Sequence, residues 1–124
     1  MDYRIAEFVR VVDRLEEFDE VVNEAKSDTW SKAREHAVLL LADGRLVLVR
    51  GGKDGIVLID RAEDGLAIEM NQQVCRIESL AWHTHPVPTG PSDHDRAILA
   101  RLGQESSVIY ELRGDPRGTR FGPK

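Results

Sequence analysis

The spacing of hydrophobic positions changes along the chain. From residue 4 to about 26, Ile5, Phe8, Val9, Val12, Leu15, Phe18, Val22 and Ala25 recur at three- and four-residue steps, with Glu, Asp and Arg between them. That period predicts one amphipathic helix packed on a sheet. Ser27-Asp28-Thr29 reads as a break of capping-type residues, with a short helical turn over Trp30 to Arg34. The apolar residues then run together. His36 to Ala42 predicts a strand, Asp43-Gly44 a two-residue hairpin turn, and Arg45 to Arg50 the returning strand. Residues 51–55 read as a second turn and Ile56 to Asp60 as a third strand. Residues 61–75 are ambiguous apart from a turn at Asp64-Gly65.

The second half of the chain is more sharply punctuated. Ile77 to Trp82 predicts a strand that delivers the chain to His83, and the three prolines in residues 86–91 predict a loop. Ser92 is an N-cap for a helix over Asp93 to Leu102, which Gly103 ends. Ser107 to Leu112 reads as a last strand. Asp115 to Gly118 reads as a turn, and Thr119 to Lys124 as a short arm. Helix, hairpin, strand, helix, strand predicts a mixed α/β layer with helices against a sheet. There is no internal repeat or linker, so residues 1–124 read as one domain, with a helix at 1–26 and an arm at 115–124.

Composition narrows the function. The 124 residues are 41% hydrophobic, enough for one packed core, and the net charge is −5. Cations are scattered among acids, which argues against a phosphate-tracking groove for nucleic acid or a basic membrane patch. No stretch reaches the ~20 apolar residues of a spanning helix. The N-terminus lacks the basic start and apolar run of a signal peptide. Cys75 is the single cysteine; it reads as a small buried residue, and a thiolate zinc site would need more. A reduced, cytoplasmic protein is the expectation; one domain of a longer secreted or delivered protein is the alternative. Composition does not bear on oligomeric state.

The chemistry concentrates in Trp82 to Asp95. His83 and His85, one residue apart at a strand end, can point to one side of the sheet and converge on an ion. Asp95, in the first turn of the following helix, is placed to join them, with Asp93 or His94 as alternatives. A His-x-His pair by itself is weak evidence. The longer string is more specific. Glu35 before an apolar strand, then His83-Thr84-His85-Pro86, then Pro91-Ser92-Asp93-His94-Asp95, resembles the metal motif of the JAMM/MPN (JAB) metalloprotease family.

That resemblance implies a compact JAB/MPN-like mixed sheet flanked by helices. It implies zinc held by His83, His85 and Asp95 with a water in the fourth place. Glu35 would be the general base, and Ser92 would donate a hydrogen bond to the oxyanion. The reaction implied is hydrolysis of amide or isopeptide bonds in a peptide or ubiquitin-like conjugate. Iron or manganese would suit the same ligands. Two departures stand out. Six residues separate His85 from Ser92 where the family usually has seven, and the chain has no room for ubiquitin-gripping insertions. A catalytically silent scaffold of the same fold is the alternative. The string also looks like compact bacterial JAB-type domains of toxin and ubiquitin-like modification systems. His36 and Trp82 read as sheet or pocket-wall residues, and Thr84 as facing away from the metal.

Overall fold

The computed structural model describes residues 7–12, 18–32, 34–51, 56, 58–70, 72–86, 90–111, 115 and 117–124. Along them run β1 (Glu7–Val11), α1 (Phe18–Lys32), β2 (His36–Leu41), β3 (Leu46–Arg50), β4 (Ile59–Asp60), β5 (Leu66–Met70), β6 (Gln73–His85), α2 (Asp93–Leu102), β7 (Ser107–Glu111) and β8 (Thr119–Phe121). The strands join in one sheet of order β1-β3-β2-β6-β5-β4, with β7 added beside β6 and β8 beyond β7. The β6–β7 pairing is parallel and the others are antiparallel.

Strand β2 explains why its sequence is apolar without alternation. Ala37, Leu39 and Leu41 join the core that contains Leu99 of α2, whereas Val38 joins the core that contains Val21, Val22 and Ala25 of α1. A strand covered by a helix on each face has no polar side to show. The architecture is therefore a mixed sheet between two helices, as the α/β pattern predicts. The Asp43-Gly44 turn and the Asp93–Leu102 helix also stand where the sequence puts them, and Gly103 closes α2 in the left-handed conformation at φ +68°.

The predicted helix over 4–26 is corrected. Glu7–Val11 is a strand paired with β3, and the helix is described only from Phe18. The register slips between Phe8 and Arg10. Such a bulge breaks the two-residue alternation, leaving a spacing that imitates a helix. The predicted break at Ser27–Thr29 is also corrected, since α1 runs through to Lys32. Thr29 does not terminate the helix because its hydroxyl is engaged elsewhere: Thr29 Oγ1 lies 2.8 Å from His36 Nδ1 and 2.6 Å from Thr84 Oγ1.

Other boundaries shift. The ambiguous stretch contains a short 3₁₀ turn, Ala62–Asp64, then β5, whose Leu66, Ala67 and Ile68 are buried. Strand β6 spans 13 residues, beginning before the predicted Ile77 because Gln73 to Arg76 pair with β5. The third strand shrinks to Ile59–Asp60; Ile56 and Leu58 pack on the core without strand pairing. Residues 52–55 of the second turn, 87–89 of the proline loop and Leu112 lie outside the described residues. Cys75 is half-buried rather than buried, packed at the margin of the core.

The C-terminal arm is a correction with consequences for the site. Thr119–Phe121 forms β8 on β7, with Phe121 opposite Ser107 and buried in the core. A chain that turns this tightly needs Gly118, at φ +79°. A Cβ there would collide with Val108 Cγ1 and stand 2.9 Å from Tyr110 Cε1. Gly118→Ala combines this clash with left-handed strain, so a loss of roughly 2 kcal/mol or more is expected. A lowered urea midpoint checks it; an unchanged midpoint would mean β8 adds little to the fold.

Candidate metal centre

Strand β6 ends in alternation that sorts its side chains by face. Trp82 packs in the α1-side core, and Thr84 reaches Thr29 of α1. His83 and His85 therefore face the α2 side together. The antiparallel register sets Ala37 opposite His83, and continuing it by two residues on each strand brings Glu35 level with His85. Its position is fixed by the backbone: Glu35 O accepts from Gly51 N at 2.7 Å, while the next residue donates His36 N to Thr84 Oγ1 at 2.9 Å. Asp95 comes from the first turn of α2. Ser92 Oγ accepts from Asp95 N at 3.0 Å, and Ser92 N donates to Asp95 Oδ2 at 2.9 Å, a capping box that orients the carboxylate.

These segments bring one ligand atom each from Glu35, His83, His85 and Asp95 within 4.8 Å of one another. Nε2 of His83 and Nε2 of His85 each stand 3.3 Å from Asp95 Oδ2. Bonds of roughly 2.0–2.1 Å in a tetrahedron separate neighbouring ligands by roughly 3.3 Å. The two spacings to Asp95 thus match donors that share one ion. His83 provides a second observation. Both its ring nitrogens are buried without a geometrically sound hydrogen bond among the described residues, the Asp95 contact included. A buried unsatisfied imidazole costs free energy that a metal bond would recover. The residues therefore fit a metal ion, and this buried Glu/His/His/Asp cluster can hold one.

Electrostatics favour a cation in the cluster. Burial pushes the Glu35 carboxyl above its ordinary value, against the lowering influence of His83 and His85. For His85 burial acts downward, but the hydrogen bond to Asp95 and the charges of Glu35, Asp95 and Glu111 outweigh it and the pKa rises. Burial likewise opposes ionisation of Asp95, and the close approach of the two histidines outweighs it, holding the carboxyl well below the usual range. The three acids around His85 favour positive charge there, whether carried by a proton or by a metal.

The remaining sequence expectations sort cleanly. Asp93 and His94 are exposed and stand outside the cluster. Ser92 is exposed at the lip, its hydroxyl oxygen occupied by the cap. Thr84 faces away from the cluster. His36 is fully buried on the α1 side, with Nε2 accepting from Arg50 Nε at 3.1 Å, and takes no part. Trp82 is core, edge-on to Tyr110. Two neighbours of the cluster carry no signal in the sequence. Glu111 Oε2 lies 3.9 Å from His85 Nδ1 and accepts from Gly90 N at 2.6 Å. Phe121 stands against the His83 ring. Both come from strands whose pairing only the fold supplies. Beyond the ligands, the cleft at the cluster is walled by Ala37, Leu39, Leu80 and Ile98. Among the described residues no helix is long and apolar enough to cross a membrane.

Comparison with protein families, with curated proteins and with solved structures finds no match to this chain. The functional reading accordingly rests on the motif residues and their geometry.

Proposed function

We propose that the protein is a zinc-dependent hydrolase of amide or isopeptide bonds of the JAMM type, acting on a peptide or ubiquitin-like conjugate. The observation that carries this reading is the convergence of Glu35, His83, His85 and Asp95, which come from three separate parts of the chain. Two imidazoles and a carboxylate are zinc-type donors, and three protein ligands leave a position open. His83 and His85 would hold the metal through Nε2 and Asp95 through Oδ2. When bound, zinc supplies Lewis acidity and lowers the pKa of water toward neutrality.

The chain's own groups do the proton work. Glu35, whose pKa burial raises, takes a proton from the attacking water at a carboxylate oxygen and passes it to the leaving amine. Ser92 keeps its hydroxyl proton while its oxygen accepts the Asp95 N–H, so it can donate to the substrate carbonyl oxygen as charge builds there. The aliphatic walls of the cleft beside Glu35 lower the local dielectric and strengthen its field. The test is cleavage of peptide-linked and isopeptide-linked fluorogenic substrates. Turnover that stops on chelation and returns with zinc supports the reading. Turnover indifferent to chelation, or none with the zinc-loaded protein, contradicts it.

A further inference from the structure

A histidine that binds a metal ordinarily donates its other ring nitrogen to a carboxylate, carbonyl or water, which fixes the ring. His85 has Glu111 near its Nδ1. For His83 the other ring nitrogen is Nδ1, which is buried and makes no hydrogen bond among the described residues. Packing must then set its ring angle, because no hydrogen bond at Nδ1 fixes it.

The side of His83 is occupied by two rings. His85 stands 4.9 Å away at 70°, and Phe121 stands 5.6 Å away at 76°. Both are edge-to-face arrangements, the favourable geometry for aromatic pairs. Phe121 is itself held. It is 5% exposed within the core that includes Leu99 and Ile109. The residues after it are tied down from α2: Arg96 Nη1 donates to Gly122 O at 3.0 Å and to Lys124 O at 2.7 Å. Arg96 directly follows the ligand Asp95. One turn of α2 therefore supplies a ligand and the latch on the strand that walls another ligand.

We propose that β8 is a working part of the metal centre: Phe121 is the positioning residue for His83, and Arg96 clasps the segment that carries it. This inference rests on the metal-binding reading above. It assigns to a ring contact the role that a hydrogen bond plays for most metal-binding histidines.

The experiment measures zinc dissociation constants by competition with a chromogenic chelator. It uses the full chain, with metal-free thermal unfolding recorded in parallel. Phe121→Leu keeps most of the core volume and removes the ring. It is expected to weaken zinc roughly tenfold or more, within the range seen when groups around metal ligands are lost. Arg96→Gln removes the clasp and is expected to shift affinity in the same direction. A Phe121→Leu protein that is folded, even if less stable, and binds zinc as wild type does would overturn the proposal, since a purely structural strand predicts lost stability without lost affinity. If that variant does not fold without metal, Arg96→Gln takes its place with the same two outcomes. Wild type that binds no zinc overturns the metal reading itself, which separates that failure from this one.

Discussion

Glu35→Gln is expected to retain metal and lose hydrolysis by roughly 10²–10⁴-fold in kcat. The amide is nearly isosteric with the carboxylate, so the cleft keeps its shape, but it cannot take a proton. Glu35 sits one residue before β2, pinned by the Gly51 N–H on one side and the His36–Thr84 bond on the other, so the substitution should leave the backbone in place. Removing a charge whose burial is costly should leave metal-free stability unchanged or slightly raised. The measurement is turnover of the best substrate beside zinc content. Lost turnover with metal kept assigns Glu35 to proton transfer. Full turnover in Glu35→Gln would remove it from the mechanism.

Zinc is expected to raise the thermal midpoint of wild type and to leave that of Asp95→Asn almost unmoved. A ligand that binds only the folded state adds about 2.7 kcal/mol at a free concentration 100 times its dissociation constant. For a domain of this size that is a rise of several degrees. Asp95 is the oxygen that both histidines face at 3.3 Å, and the asparagine keeps a side-chain carbonyl for the Ser92 cap while removing the charge. The variant thus separates the two roles of Asp95. A large drop in the metal-free midpoint would show that the Asp95 charge also stabilises the fold without metal. An equal zinc-induced rise in both proteins would exclude it as a ligand.

The site was more legible in the sequence than the fold around it. Its residues lie in local patterns with a physical reason behind their spacing. His83 and His85 alternate on one strand face, and Ser92 and Asp95 share a capping box; Glu35, a charged residue before an apolar run, stands out only through the motif it resembles. The misread parts depend on distant partners. Glu7–Val11 is a strand because β3 lies beside it, and its bulge hides the alternation. Thr29 stays helical because Thr84 and His36, far along the chain, satisfy its hydroxyl. Phe121 reads as tail because nothing near it in sequence reveals β7 as its partner. Patterns closed within one element are visible in the sequence, and long-range pairing is not.

On the proposed reading, His83, His85 and Asp95 converge to bind a metal, with Glu35 beside it, rather than forming an isolated polar cluster. Elemental analysis of purified protein tests this most directly, on wild type beside His85→Ala and Glu35→Ala. One zinc per chain is expected in wild type, retained in Glu35→Ala and lost in His85→Ala. Wild type without zinc, even after incubation with it, would contradict metal binding by this cluster.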